Sequence, residues 1–506
     1  MPKNIRLRFA PSPTGWLHIG SLRTVLFNYL ITKSLGGALI LRIEDTDQKR
    51  EVAGAVEKLI DILDWLGIKF DEGPHIAGEF GPYTQSQRLE IYKKYSDELL
   101  AAGKAYRCFC AGERLDDMRQ RQQAQKLPPR YDRTCRDLPE TEIERKLDAG
   151  EKFVIRQKMP LEGEIIVHDE LRGQIKFMAA DLDDQVLIKS NGIPTYQFAS
   201  VVDDHLMQIS HVLRGDEWLS SFPKNILLYQ AFGWEPPKFI HLPLILNKGG
   251  GKLSKRQGDV AVEDFRAKGY LPEALLNFVA LQGWHPKDDQ EVMTMEEMIE
   301  KFRIENLGIS PAVFDIEKLD YFNGWYIRHK TVEELTKLCL PFLAEAGIIE
   351  EFSIFNFQFS MKFKNKKTGK EINFEYIKKV IALEQERLKK LSDIGEATRF
   401  FFEDKFEYEP ELLIWKKMDM AQVKNNLEEI HRALEKIPAG SWTNDSIEDA
   451  LMAHIQARGG KVGEYLWPMR AALTGRQASP GPFDVAEVLG KEGSLNRVRL
   501  AADKLE

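Results

Sequence analysis

The sequence predicts a doubly wound α/β domain that is interrupted by an α+β insertion and followed by all-helical modules. Three observations predict this fold class. A strand, a glycine-containing turn, a helix and a second strand follow one another within residues 6–43. Residues 106–181 then differ in composition and pattern from the residues before them, because they contain three of the four cysteines and polar strand-like stretches. Helical periodicity dominates the last third of the chain.

The opening unit contains a strand, a breaker run of proline and glycine at residues 11–15, a helix, and a second strand at residues 38–43. The helix has apolar side chains at positions i, i+3, i+4 and i+7. These are Leu22, Val25, Leu26 and Tyr29. Ligands of such sheets bind outside the carboxyl ends of the strands. Ser12, His18 and Glu44 fall at those ends, so we expect the site there.

Later segments complete the predicted order of elements. The insertion holds a strand-like stretch at residues 153–157, and the sheet is expected to resume near residues 185–188 and to continue to the glycine-punctuated residues 214–218. Pro272 opens and Gly283 closes a helix, as proline and glycine commonly do.

A chain of 506 residues is too long for one hydrophobic core, because domains usually have about 100 to 200 residues. We expect the α/β domain in two halves, at residues 1–90 and 196–245. An inserted domain is expected at residues 91–195 and a helical domain at residues 246–330. Residues 331–506 are expected to be all-helical, with two subdomains.

Composition excludes several classes of protein. No run of about 18 apolar residues predicts a membrane span, and the first residues lack the apolar stretch of a secretory signal, so we expect a cytoplasmic protein. Four cysteines exclude a disulfide framework. The net charge of −7 gives no overall attraction to nucleic acid, so an RNA partner would need local basic surfaces.

Two separated motifs carry the strongest signal. Residues 18–21 read His-Ile-Gly-Ser at the predicted helix start, and residues 252–256 read Lys-Leu-Ser-Lys-Arg. A helix N-terminus attracts phosphate, a histidine can add a donor, and lysines can stabilise departing pyrophosphate. In this order and context the pair resembles the class I aminoacyl-tRNA synthetases. Ser21 departs from the class pattern, which has histidine there; a small residue is common in the glutamyl branch.

Further segments resemble the bacterial-type glutamyl-tRNA synthetase family. They are residues 8–15, 42–47, 194–196, 201–205, 473–476 and 479–481. The resemblance implies a Rossmann-like catalytic domain and activation of L-glutamate by ATP with Mg²⁺. Transfer to the 2′-hydroxyl of the terminal adenosine of tRNA(Glu) would follow.

The resemblance also implies roles for residues. The catalytic residues would be His18, Lys252 and Lys255. ATP would be bound by His18, Gly20, Ser21, Glu217, Lys252, Ser254, Lys255 and Arg256. Glutamate would be bound by Arg8, Ala10, Ser12, Glu44, Tyr196, Arg214 and Trp218.

Within the glutamate pocket, the resemblance gives Arg8 the side-chain carboxylate and Glu44 the ammonium group. A guanidinium can hold a carboxylate through two parallel bonds but cannot satisfy a neutral amide in that way, so glutamine can be rejected without a separate editing site. Ser200 stands where the family has asparagine, which puts a direct role for that position in doubt.

Three cysteines resemble a zinc-binding insertion of some family members. Cys108, Cys110 and Cys135 would supply thiolates, with Asp137 as fourth ligand and Tyr131 as the alternative. The competing interpretation is a degraded site whose cysteines are small buried residues.

The expected partners are tRNA(Glu), L-glutamate and ATP, with no membrane partner and a monomeric chain. The insertion would bind the acceptor end of the tRNA, and the C-terminal region would bind the anticodon. Basic candidates there are Lys362, Lys364, Lys366, Lys367, Lys370, Arg387, Lys389 and Lys390.

Other interpretations stay open at this point. A non-discriminating enzyme would also charge tRNA(Gln). A glutaminyl enzyme would usually carry β-barrels in its anticodon part, and the short relative that modifies a tRNA base would lack the C-terminal modules. A non-catalytic RNA-binding paralogue and a tRNA-independent nucleotidyltransferase are the remaining alternatives.

Overall fold

The computed structural model describes residues 5–47, 52–253, 260–352, 362–404 and 406–505. The chain divides into two units, Met1–Phe265 with Pro272–Ile316, and Arg266–Leu271 with Glu317–Glu506. Residues 91–195 belong to the same unit as both expected halves of the α/β domain. The finer domain boundaries stay a prediction.

The first unit contains most of the strands. In chain order its elements are β1 (Arg6–Phe9), α1 (Ile19–Ser34), β2 (Ala38–Leu41), α2 (Ala55–Trp65), α3 (Leu89–Ala101), β3 (Ala105–Cys108), α4 (Gly112–Ala124), α5 (Glu140–Asp148), β4 (Val154–Gln157), β5 (Glu164–Asp169), β6 (Gly173–Met178), β7 (Val186–Ile188), α6 (Tyr196–Leu206), β8 (His211–Gly215), α7 (Phe222–Phe232), β9 (Lys238–Leu242), β10 (Ile245–Leu246), α8 (Val262–Ala267, which ends in the second unit), α9 (Pro272–Ala280), α10 (Met295–Lys301) and β11 (Ala312–Val313).

Parallel strands form the centre of this unit. β1 pairs with β2, and β8 pairs with β9, both in parallel. The backbone N–H of Ser210 donates to the carbonyl of Arg6 at 2.9 Å, which places the start of β8 beside β1. The helix α1 crosses between β1 and β2 and buries Leu22, Val25 and Leu26 completely. The predicted opening βαβ unit is confirmed.

The α/β sheet was expected to resume near residues 185–188, but β7 is not part of it. β7 pairs with β4, and β4 with β3, in a separate three-stranded antiparallel sheet. Instead, the hairpin of β5 and β6 extends the sheet of β8 and β9, because Asp169 of β5 pairs in parallel with Phe239 of β9. Strand partners are non-local, so the apolar character of residues 185–188 could not identify the sheet.

The second unit is mainly helical. Its elements are α11 (Ile316–Arg328, which begins in the first unit), α12 (Val332–Glu345), β12 (Ile349–Phe352), β13 (Lys362–Asn365), β14 (Glu371–Asn373), α13 (Phe374–Glu384), α14 (Asp393–Thr398), α15 (Met420–Glu435), α16 (Asn444–Arg458), α17 (Val462–Thr474) and α18 (Pro482–Asp503), which is interrupted at Gly490. None of the helices in the described parts of the chain is both long and apolar enough to cross a membrane.

The expectation of an all-helical region beyond residue 331 is wrong in one place. β12, β13 and β14 form an antiparallel sheet. Asn365 closes the turn between β13 and β14, because its Oδ1 accepts from the backbone N–H groups of Lys367 and Thr368 at 2.9 and 2.8 Å. Phe363 and Ile372 are buried on one face. The alternation is only a few residues long, too short to stand out beside the flanking helical periodicity.

Candidate active site

A cleft of about 880 Å³ opens at the carboxyl ends of β1, β2, β8 and β9. Parallel α/β sheets bind ligands at this edge. The structure brings twelve of the predicted ATP and glutamate residues together in its lining. They are Arg8, Ala10, Ser12, His18, Gly20, Ser21, Glu44, Tyr196, Arg214, Glu217, Trp218 and Lys252. Ser254, Lys255 and Arg256 lie outside the described residues.

His18 caps the N-terminus of α1. Its Nδ1 accepts a hydrogen bond from the backbone N–H of Gly20 at 3.0 Å. A neutral imidazole that accepts at Nδ1 carries its proton on Nε2, so the ring offers a donor there. The backbone N–H of Ile19 donates to the carbonyl of Val260 at 2.9 Å. Two of the helix N–H groups expected to meet phosphate are therefore already paired, and the side chain of His18 becomes the more important donor.

Lys252 lies on a hairpin that follows β10. Its bridge to Leu246 is antiparallel, and the turn is closed by the N–H of Asn247, which donates to the carbonyl of Gly251 at 2.9 Å. Gly250 has a φ of 83°, which favours glycine. The hairpin therefore holds Lys252 at the cleft.

The chain beyond Lys252 is anchored at both of its described ends. Leu253 lines the cleft and donates its N–H to Ile245. At residue 260 the chain returns beside the start of α1, because Val262 donates to Leu17 at 2.8 Å. Residues 260–262 therefore lie beside the first motif, and Lys252 and Leu253 line the same cleft.

A buried network of charges surrounds Arg8. Its Nε and one terminal nitrogen donate to the two carboxylate oxygens of Asp204, at 2.9 and 3.3 Å. Arg42 donates to the same Asp204 at 2.7 Å and to Glu44 at 2.9 Å. Arg88 binds Asp203 at 2.7 Å. The three guanidinium groups of this network are balanced by three carboxylates.

Burial controls the protonation of this network. Burial raises the pKa of Glu44 to about 7, against the opposing effects of Arg42 and Arg8. Burial alone would also raise the pKa of Asp204, but Arg8 and Arg42 together hold it below its usual range. Glu44 can therefore change its charge near neutral pH.

Arg214 differs from Arg8 in its partners. Its Nε donates to Nε2 of His241 at 2.9 Å, and its two terminal nitrogens donate to Oδ1 of Asn225 at 3.2 Å. Within the described part of the chain, no carboxylate forms an ion pair with Arg214. Arg214 is therefore a buried positive charge at the cleft that makes no direct ion pair with a described carboxylate; burial lowers its pKa, and the nearby charge of Asp204 opposes this effect.

Tyr196 and Trp218 form one wall of the cleft, with ring centroids 4.5 Å apart. Burial, with Glu44 nearby, raises the pKa of Tyr196, so its hydroxyl stays protonated. Ser200, one turn further along α6, is buried and is not part of the lining. The doubt about a direct role for that position therefore stands.

Sequence reasoning missed several residues that shape this site. Asp204 belongs to a segment used for the resemblance, but its bond to Arg8 was not anticipated. His241, Asn225 and Asp169 were not singled out at all. Their spacing along the chain gives no signal, since Arg214 and His241 are 27 residues apart and meet only because β8 pairs with β9.

A second cluster lies in the insertion, at the end of β3. The sulfur atoms of Cys108, Cys110 and Cys135 lie within 4.8 Å of one another. The hydroxyl oxygen of Tyr131 is 3.2 Å from the Cys108 sulfur and 3.4 Å from the Cys110 sulfur. Hydrogen bonds with Cys135 and Tyr131 lower the pKa of Cys108 against the opposing effect of burial.

Asp137, the predicted fourth ligand, is not part of this cluster. Its carboxylate is 83% exposed and lies 3.6 Å from the ammonium group of Lys158. Tyr131, the alternative ligand, occupies the position beside the sulfurs because it lies one turn before Cys135, whose backbone N–H donates to its hydroxyl at 3.0 Å. The residue spacing alone could not distinguish these two oxygens.

Comparison with known proteins gives consistent matches over the whole chain. The family described as "tRNA synthetases class I (E and Q), catalytic domain" matches residues 4–321, and "Anticodon binding domain" matches residues 334–502. The chain is 44% identical over 508 residues to the glutamate--tRNA ligase of Clostridium botulinum (strain Hall), covering 100% of this chain and 99% of that protein. It is 45% identical over 504 residues to that of Clostridioides difficile (strain 630), covering 98% of each.

A solved structure agrees with these matches. The crystal structure of a glutamate tRNA ligase from Elizabethkingia meningosepticum CCUG26117, in complex with its amino acid, superposes with a TM-score of 0.88 at 35% identity. It covers 99% of this chain and 100% of that chain. The fold similarity thus includes both units.

Proposed function

Because the chain belongs to the glutamate--tRNA ligase family of class I tRNA synthetases, we propose specific roles for its residues in joining glutamate to tRNA. ATP-dependent charging of tRNA with glutamate follows from this membership, as does the use of Mg²⁺. What remains to be assigned is which side chains bind each substrate and which tRNAs are accepted.

Glutamate is held in the part of the cleft between Arg8 and Arg214. The observation that carries this assignment is a buried guanidinium, Arg214, whose hydrogen-bond partners His241 and Asn225 are neutral, in the same lining as a buried carboxylate, Glu44. A carboxylate of the bound amino acid supplies a negative charge beside Arg214. Arg8 keeps N–H donors beyond those used by Asp204 and binds the side-chain carboxylate, while Glu44 binds the ammonium group.

The same pocket is completed by smaller and aromatic groups. Ala10 and Ser12 follow β1 and line the floor of the glutamate site. Tyr196 donates from its hydroxyl, and Trp218 covers the pocket.

ATP lies against the start of α1. In the first step a carboxylate oxygen of glutamate attacks the α-phosphorus of ATP, the bond to the β-phosphate breaks, and pyrophosphate leaves. His18 donates from Nε2 to the phosphates, and Lys252 neutralises the charge that grows on pyrophosphate. Gly20, Ser21 and Glu217 contact the nucleotide. Mg²⁺ enters with ATP and adds positive charge at the phosphates.

Lys255, with Ser254 and Arg256, belongs to the same step. These residues are outside the described range, but Leu253 before them lines the cleft and Val260 after them lies beside the start of α1. We assign Lys255 to the transition state of pyrophosphate departure, with Lys252 in support.

In the second step the 2′-hydroxyl of the terminal adenosine attacks the glutamyl carbonyl, and AMP leaves with the electron pair of the broken bond. The residues act by positioning and by charge stabilisation, with no side-chain general base. The enzyme works in the cytoplasm, where ATP and tRNA are found. It acts as a monomer. Residues 91–195 bind the acceptor end, and the second unit binds the anticodon through its basic side chains.

The cysteine cluster is a structural zinc site. Three thiolates within 4.8 Å of one another fit tetrahedral zinc, and the oxygen of Tyr131 lies where a fourth ligand is needed. Arg156 stacks on the ring of Tyr131, 4.0 Å from its centroid, and holds it in place. The site would order the insertion and take no part in the chemistry.

The function is tested by charging purified glutamate tRNA and glutamine tRNA with labelled glutamate and ATP. ATP–pyrophosphate exchange is measured with and without tRNA. Charging of glutamate tRNA alone indicates a discriminating enzyme, and charging of both indicates a non-discriminating one. Exchange without charging would indicate a different acceptor. Inactivity in both assays would contradict the proposed ligase activity.

A further inference from the structure

Arg214 is anchored by neutral groups on two sides. A guanidinium has five N–H donors, and the bonds to His241 and Asn225 use three of them. The amide of Asn225 is itself oriented, because its Nδ2 donates to Oε1 of Gln197 at 2.8 Å. The ring centroid of Phe239 lies 5.1 Å from the guanidinium carbon. These contacts fix the guanidinium and leave one N–H on each terminal nitrogen, with the Tyr196 hydroxyl as a further hydrogen-bond partner.

Asp169 lies behind His241. One of its oxygens, Oδ2, accepts from Nδ1 of His241 at 2.8 Å and from the backbone N–H of the same residue at 3.0 Å. The other, Oδ1, accepts from the backbone N–H groups of Leu171 and Arg172, both at 3.0 Å. Both side chains are 0% exposed. The parallel pairing of β5 with β9 brings them together.

These hydrogen bonds determine the tautomer of His241. A carboxylate that accepts two hydrogen bonds at each oxygen acts only as an acceptor, so the ring proton lies on Nδ1. Nε2 then has a lone pair, which accepts from the Nε–H of Arg214. Burial lowers the pKa of His241, so the ring stays neutral. Burial opposes ionisation of Asp169, but the bonds from His241, Leu171 and Arg172 keep its pKa below the usual range.

We propose that Asp169 and His241 are positioning residues, which orient the guanidinium of Arg214 for a carboxylate of glutamate and thereby set the affinity for this substrate. The inference rests on the proposed function, which places glutamate in the cleft. A buried guanidinium attracts an anion, and a guanidinium whose plane is fixed directs its remaining N–H donors in set directions. A side chain that is already ordered loses less entropy on binding.

A matched pair of variants at His241 tests the proposal. His241→Asn retains an amide that can donate to Asp169 but has no acceptor near the Nε of Arg214. His241→Gln places an amide oxygen near the former Nε2 and can accept that bond. We expect the Asn variant to raise the KM for glutamate in tRNA charging about tenfold, with the KM for ATP unchanged. The Gln variant should recover most of the loss.

Other outcomes would overturn the proposal. Wild-type KM for glutamate in the Asn variant would do so, as would a loss that affects kcat and both KM values equally, because that pattern indicates a purely structural role. Arg214→Gln tests whether Arg214 binds glutamate, separately from whether His241 and Asp169 orient it. If it leaves the KM for glutamate unchanged, the assignment of Arg214 to the substrate site fails as well.

A measurement on the unaltered protein avoids dependence on folding of the variants. Nitrogen-15 spectra of the histidine-labelled full chain should show His241 with a proton on Nδ1 and none on Nε2 at pH 7. An Nε2–H tautomer or a doubly protonated ring would overturn the proposal, because neither can accept from Arg214.

Discussion

The Nδ1 atom of His18 accepts a hydrogen bond of 3.0 Å from the backbone N–H of Gly20. This contact gives one residue two tasks. Nδ1 satisfies an N–H group that the first turn of α1 leaves without a helical partner. The proton of the neutral ring is thereby placed on Nε2, where it can reach a phosphate. The stability of the helix start and the chemistry of the cleft therefore depend on opposite sides of the same ring.

Substitution of His18 should separate these tasks. His18→Ala removes both, so we expect a loss of about 1 kcal/mol in unfolding free energy and a fall in kcat of roughly 10²-fold. His18→Asn restores the cap, because asparagine is a good N-cap residue, but its side chain is too short to replace Nε2. Thermal unfolding and tRNA charging of both variants check this. Recovery of turnover by the Asn variant would contradict the role of Nε2.

Lys255→Ala should lower ATP–pyrophosphate exchange, measured with tRNA present, at least about 10²-fold. The expected reason is loss of a cation that stabilises departing pyrophosphate. Lys248→Ala is the matched control, because Lys248 lies on the hairpin that follows β10 but is exposed and pairs with Asp315 at 3.0 Å. Exchange should stay near wild type in the control. Normal exchange in Lys255→Ala would refute the assignment.

Much of the site was predictable because its motifs are local. The strand, turn and helix that carry Ser12 and His18 lie within one short stretch of sequence, and their chemistry follows from the ends of those elements. The buried face of α1 was equally readable, since Leu22 and Val25 repeat with the helical period. The sequence of these neighbouring elements is therefore sufficient to place the part of the cleft that contains Ser12 and His18.

The rest depends on contacts between distant residues. Nothing in the sequence indicates that Asp204 would occupy two donors of Arg8, or that Asp169 would orient a histidine 72 residues away. Whether Tyr131 or Asp137 lies beside the cysteine sulfur atoms likewise depends on how the chain turns around Cys135. Strand pairing and side-chain direction decide these contacts, and neither is encoded by spacing alone.

The affinity for glutamate should depend on pH through Glu44. Burial raises the pKa of this carboxylic acid to about 7, so it is neutral below that pH and negatively charged above it. Only the charged form attracts the substrate ammonium. The KM for glutamate should therefore fall as the pH rises from about 6 to about 8 and should level off above the pKa.

Glu44→Gln provides the comparison for this pH profile. The variant should have a high KM for glutamate that no longer changes over the same pH range, while the KM for ATP stays constant in both proteins. A wild-type profile that is flat, or a variant that keeps the slope, would show that another group is responsible. Arg42, Arg8 and Asp204, the charged groups beside Glu44, keep their charges in this range.

The metal content of the purified chain should distinguish a zinc site from a set of small buried cysteines. We expect about one zinc ion per chain, held by three thiolates and the oxygen of Tyr131. Tyr131→Phe should lose zinc to a chelator faster than wild type, because only the oxygen is removed and the ring remains to pack. Asp137→Ala should retain zinc like wild type, since that carboxylate is exposed and paired with Lys158. Elemental analysis after dialysis measures all three proteins, and faster loss from Asp137→Ala than from Tyr131→Phe would reverse the ligand assignment. Absence of zinc from the wild-type chain would leave the cysteines with a packing role alone.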